Sequence, residues 1–123
     1  MPRITGLLID PRTHSSTVIR FEPELKEFYR LLNTQLIGGF SDDDDRLSYT
    51  YIDDIVDDAT DVVYRTEWTY PLRGKVIVTG LAVDGKATSL SADQIDLCRE
   101  THFVGFLLPT GGWTAFRLKY NSQ

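Results

Sequence analysis

Nine aspartates, no glutamate and a single arginine lie within the twenty residues from Asp42 to Asp61. Aspartate is unfavourable in the interior of helices and strands, so the groups at 42–45 and 53–58 are predicted to be exposed loops. Between them, residues 47–52 alternate with the period of a short strand. This acidic strip, residues 42–61, carries a net charge of −8, and because the whole chain carries −5, the other 103 residues carry +3.

The remaining patterns predict an α+β fold in one domain over residues 1–123. Short β-branched runs between turn residues indicate a mostly antiparallel sheet of about six or seven strands, ending in a hairpin over 103–120. One helix is predicted to begin at Pro23 and another at the capping box formed by Ser91 and Gln94. Both helices are expected to pack on one face of the sheet.

The clearest predicted strand spans Lys75 to Val83, and two local signals predict its irregularity and its end. Gly80 lies inside it and predicts a bulge or a close approach of another backbone segment. Asp84 and Gly85 follow it and predict a tight hairpin turn.

The composition limits the cellular setting. One cysteine, Cys98, excludes an internal disulfide bond and is typical of a reducing compartment. No apolar run approaches the ~20 residues that would span a bilayer, and the N-terminal residues lack the pattern of a signal peptide. We therefore expect a cytoplasmic protein without a membrane interaction.

No motif for catalysis or metal binding is recognisable. A calcium loop counted from Asp42 would place Arg46 at its fifth position and Leu47 at its sixth, where an oxygen ligand and a glycine are needed. His14 and His102 have no ligating residues at metal-site spacing. The sequence predicts no metal, no cofactor and no enzymatic activity.

Two groups of residues are candidates for binding. The first is acidic and suits a basic surface of a partner protein: it consists of Asp42, Asp43, Asp44, Asp45, Asp53, Asp54, Asp57 and Asp58. The second is an aromatic and basic group in which a base could stack and a phosphate could pair: it consists of Trp68, Tyr70, Arg73 and Lys75. Core packing of the aromatic residues and a merely solubilising role for the aspartates are the alternatives.

Four segments resemble an uncharacterised family of short phage and plasmid proteins. They are ITGLLIDP at 4–11, YIDD at 51–54, YPLRG at 70–74 and VIVTG at 76–80, and the resemblance covers about residues 4–90. It implies a small accessory protein of a phage or mobile element in the bacterial cytoplasm, and it implies that 103–120 is an extension. The family carries no assigned activity, so it implies no catalytic residues.

The predicted function is a non-enzymatic, anti-defence type of role: binding and modulating a host or defence protein through the acidic surface. One alternative is a protein that sequesters a nucleotide signal, and another is a structural or regulatory phage protein without a ligand. Direct binding of nucleic acid is not expected, because the basic residues are scattered along the sequence. The sequence allows a homo-oligomer.

Overall fold

Strands dominate the structure, a computed structural model that describes residues 3–53 and 60–121. Its elements in chain order are β1 (Ile4–Asp10), β2 (Ser15–Phe21), α1 (Leu25–Leu32), β3 (Ile37–Asp42), β4 (Leu47–Ile52), β5 (Asp61–Arg65), β6 (Leu72–Arg73), β7 (Val76–Val83), β8 (Lys86–Thr88), α2 (Ala92–Thr101), β9 (His102–Phe106), β10 (Phe116–Arg117) and β11 (Lys119–Asn121).

Two sheets are formed. The larger has the order β11-β2-β1-β7-β4-β3, with β8 paired to β7, and all its pairs are antiparallel except β11 with β2. The smaller has the order β10-β9-β5-β6 and is antiparallel throughout. The predicted α+β class and the mostly antiparallel sheet are confirmed.

Both faces of the larger sheet are apolar, and each is covered by a different layer. Ile77 of β7 faces the helix α1 with Phe28 and Leu32. Its neighbours Val76 and Val78 face the opposite side, where the core comprises Leu7, Ile9, Leu47, Tyr49, Val63, Leu90, Cys98, Val104 and Leu118. The helices thus lie on opposite faces, whereas a shared face was predicted. The reason is that consecutive apolar residues in a strand point to both sides, and each side must be buried.

The C-terminal segment 103–120 is integral to this core. β9 lies between β5 and β10, and Val104 and Leu118 are both buried against the larger sheet. The chain then returns to the larger sheet as β11. The segment therefore packs as part of the same core as the strands that precede it.

Three of the predicted local signals are present, whereas the first helix begins at Leu25, after the N-cap Glu24, and not at Pro23. Ser91 caps α2 and exchanges hydrogen bonds with Gln94, as in a capping box. Asp84 and Gly85 form the β7–β8 turn with φ values of 53° and 76°, which is the left-handed conformation that a two-residue hairpin turn requires. The ladder shifts register after Gly80, and a Cβ there would contact Thr88 Oγ1 and come within 2.7 Å of the Ser89 carbonyl oxygen.

The substitution Gly80→Ala should therefore lower the free energy of unfolding by about 1–3 kcal/mol. The added methyl group would meet the backbone at Thr88 and Ser89, which cannot move aside freely. Gly112→Ala is the matched control, since its Cβ would meet only Leu108 Cδ1 at 4.0 Å. Urea unfolding should show the control within about 0.5 kcal/mol of the wild type. Equal stabilities of the two variants would contradict the close approach at Gly80.

Candidate functional site

A buried arginine connects the two sheets. The side chain of Arg65, at the end of β5, is only 6% exposed. Its Nη1 lies 3.1 Å from Asp42 Oδ2 and donates to the Tyr49 hydroxyl at 3.2 Å, while its Nη2 lies 2.7 Å from Asp45 Oδ2. Its Nε lies 2.6 Å from Glu67 Oε1, but the N–H is not aimed at that oxygen and has no acceptor among the described residues. Two β3–β4 carboxylates therefore hold a guanidinium from the other sheet.

The charge of Arg65 is stabilised by these partners. Burial alone favours the neutral form, but hydrogen bonding to Asp45 and Tyr49 outweighs it, so the pKa of Arg65 is raised above its ordinary value. The guanidinium is thus charged at neutral pH.

Tyr49 links Arg65 to a buried histidine. His102 Nδ1 lies 2.8 Å from the Cys98 carbonyl oxygen, and because a carbonyl can only accept, Nδ1 carries the proton. His102 Nε2 is then the acceptor of the Tyr49 hydroxyl at 2.9 Å. The phenol oxygen accepts from Arg65, and the phenol O–H donates to His102. The donor and the acceptor of each hydrogen bond in this series are therefore defined.

None of these groups changes protonation near neutral pH. Burial lowers the pKa of His102 from 6.5 to about 4 and raises the pKa of the Cys98 thiol to about 12. Burial also raises the pKa of Tyr49. These hydrogen bonds are therefore suited to holding the two sheets together, and both His102 and the buried Cys98 thiol are neutral at pH 7.

The acidic residues at 42–45 have two different roles. Asp42 ends β3, and its Oδ1 accepts from the backbone N–H groups of Asp44 at 3.0 Å and Asp45 at 3.4 Å. Asp42 and Asp45 also bind Arg65, so the prediction of a freely exposed 42–45 loop requires correction at these two positions. Asp43 and Asp44 are exposed at the tip of the β3–β4 hairpin.

The other predicted acidic residues are spread more widely. Asp53 is exposed just after β4, and its N–H donates to the Leu36 carbonyl at 3.0 Å. Asp54, Asp57 and Asp58 lie outside the described residues.

The aromatic and basic candidates do not form one pocket. Trp68 packs edge-on against Tyr49 and Phe40, with ring centroids 5.2 and 5.7 Å away. Arg73 is exposed on β6 opposite Val62, towards the other end of β5. In addition, Tyr70 is 79% exposed and Lys75 is half-buried just before β7.

Sequence reasoning missed Arg65, Tyr49 and His102 as a connected group. One signal was available: Arg65 is two residues after the apolar Val63 and therefore shares its inward face. A buried arginine needs a carboxylate partner, and the densest group of aspartates was the obvious source.

A recess of about 520 Å³ lies beside the carboxylates that bind Arg65. It is lined by Phe40, Ser41, Asp42, Asp43, Asp44, Asp45, Glu67 and Trp68. We call this surface the acidic tip. It combines exposed carboxylates with two aromatic rings, and Phe40 is 38% exposed.

No protein-family model matches the chain, and no curated protein or solved structure shows significant similarity to it. Within residues 3–53 and 60–121, no helix is long and apolar enough to span a membrane.

Tyr49→Phe should lower the free energy of unfolding by about 1–3 kcal/mol, because Arg65 Nη1 and His102 Nε2 both lose a buried partner. Tyr70→Phe removes the same hydroxyl from a residue that is 79% exposed and should change stability by less than about 0.5 kcal/mol. Denaturant unfolding of both variants measures the difference. A Tyr49→Phe protein as stable as the wild type would mean that the buried chain adds nothing to the fold.

The lowered pKa of His102 makes stability depend on pH. Between pH about 4 and 6.5 the unfolded chain binds the proton and the folded chain does not. The free energy of unfolding should therefore fall as the pH is lowered through this window, by up to about 3 kcal/mol, and this contribution should level off below pH 4. Unfolding measured from pH 4 to 8 should show this slope in the wild type and in His14→Gln. His102→Gln should lack it, and an unchanged slope there would refute the assignment.

Proposed function

We propose that this chain is a non-enzymatic binding protein whose acidic tip engages a basic surface of a partner protein. The resemblance to short phage and plasmid proteins supports a role as a mobile-element accessory protein in the bacterial cytoplasm. The partner is then a host or defence protein, and a basic surface on it would attract the carboxylates of the tip.

The observation that carries this proposal is the anchoring of the tip by Arg65. Three carboxylates, those of Asp42, Asp45 and Glu67, lie around one guanidinium, so the cluster keeps a net charge of −2. Asp43 and Asp44 add two exposed charges on a turn whose backbone is fixed by hydrogen bonds to Asp42. A charged turn that is already ordered loses little conformational entropy on binding.

Aromatic residues at the base of the tip support the same role. Phe40 stacks on Tyr49 at 4.7 Å and is 38% exposed, and Trp68 packs beside it. Aromatic residues at the centre of a patch with a polar rim are typical of the energetically important part of a protein interface. The tip thus offers charge for rapid association and apolar area for retention.

The double variant Asp43→Asn, Asp44→Asn should slow association with the partner several-fold at low salt and leave stability nearly unchanged. These carboxylates make no ion pair within the described residues, so only long-range attraction is lost. The difference should shrink at high salt, because ions screen exposed charges over ~8 Å at physiological strength. Immobilised wild-type protein captures the partner from bacterial lysate, and association rates are then measured with the purified partner.

The matched control is Asp96→Asn with Glu100→Gln, which removes two exposed charges from α2. It should associate at nearly the wild-type rate. Equal rates for the tip variant and the wild type at low salt, or equal losses in both variants, would refute the acidic tip as the binding surface.

A further inference from the structure

The outer face of the smaller sheet carries aromatic and basic side chains that are distant in sequence. Phe103 pairs with Arg117 on one side and with Tyr64 on the other, and residues directly opposite each other in an antiparallel pair point to the same face. Val62, two residues before Tyr64, pairs with Arg73. Since Val63 and Val104 face the core, these five side chains lie on the opposite face.

Aromatic rings cover the centre of this face. The rings of Tyr64 and Phe103 are 5.8 Å apart, and Trp113 packs edge-on against Tyr64 at 5.3 Å. Gly105 gives the room for this arrangement, because the backbone of Thr114 lies directly against its Cα. All three rings are half-buried.

Two arginines border the rings. Arg117 and Arg73 are both exposed, and neither forms an ion pair with any of residues 3–53 and 60–121. The guanidinium of Arg117 lies 5.7 Å from the Phe103 ring centroid. The face therefore has an arginine at each edge and half-buried rings at Tyr64 and Phe103, whereas Val62 is fully buried and Thr114 covers Gly105.

We propose that this face binds single-stranded nucleic acid. Unpaired bases stack on aromatic rings, and phosphates of the same strand pair with arginines. A duplex hides its base faces in its own stack, so the rings favour a single strand. The proposal is independent of the acidic tip. It differs from the sequence-based expectation against nucleic acid, because folding brings Arg73 and Arg117 onto one face.

Charge complementarity favours a polyanion as the occupant of this face. Among residues 3–53 and 60–121 the two arginines have no carboxylate partner, so a second copy of the same face would be repelled and a polyanion would be attracted. With two phosphate contacts, the logarithm of the binding constant should fall against the logarithm of salt concentration with a slope of about −1.4. Raising salt from 50 to 200 mM should then weaken binding about sevenfold.

The test uses the full chain and a fluorescent twelve-nucleotide oligothymidine, with anisotropy measured across that salt range. Arg73→Gln with Arg117→Gln should reduce the slope to near zero. Arg12→Gln with Arg20→Gln removes two exposed arginines elsewhere and should keep the wild-type slope. Phe103→Leu should weaken binding at least fivefold through lost stacking while the slope stays near −1.4.

Circular dichroism and thermal melting establish that each variant is folded. The proposal is overturned if the wild type does not bind the oligonucleotide at 50 mM salt, if both arginine pairs lose affinity equally, or if Phe103→Leu binds like the wild type. It is also overturned if the protein is a dimer in solution that Phe103→Leu dissociates, because the occupant is then a second copy. Failure of this test leaves the acidic tip unaffected, since no residue is shared.

Discussion

The buried guanidinium of Arg65 determines how the two sheets meet. Removing such a charge from water costs several kcal/mol, and it is tolerated only where carboxylates and hydrogen bonds compensate. Here the compensation comes from the other sheet, through Asp42, Asp45 and Tyr49. The β3–β4 hairpin that carries these residues is thereby held against β5. The buried ion pairs of Arg65 also restrict the exposed turn of that hairpin.

Acidic and basic side chains lie on different surfaces of the molecule. Carboxylates gather at the hairpin tip around Arg65, whereas Arg73 and Arg117 lie on the outer face of the smaller sheet. A chain with a net charge of −5 can therefore offer both an anionic and a cationic surface. Net charge alone describes neither of them, because ligands respond to the local field.

Local signals predicted the elements well, and long-range contacts explain what the sequence did not reveal. The capping box at Ser91 and the turn at Asp84 and Gly85 depend on neighbouring residues, and both are present. The opposite placement of the helices depends on which strands become neighbours. The partnership of Arg65 with Asp42 and Asp45 likewise spans 23 and 20 positions. Trp68 and Arg73 are close in sequence, yet Trp68 packs against the core and Arg73 lies on the opposite face of the smaller sheet, because strand pairing determines which way each side chain points.

The parallel pairing of β11 with β2 has a consequence for synthesis in the cell. Ser16 and Lys119 are joined by a hydrogen bond across 103 positions, so β2 leaves the ribosome long before the strand that covers it. At translation rates of ~5–20 residues per second, the edge of β2 stays open for roughly 5–20 s. An uncovered strand edge is a template for pairing with another chain. Each nascent molecule is therefore most exposed to misassembly with its polysome neighbours during this interval, and a chaperone that shields extended segments would act there.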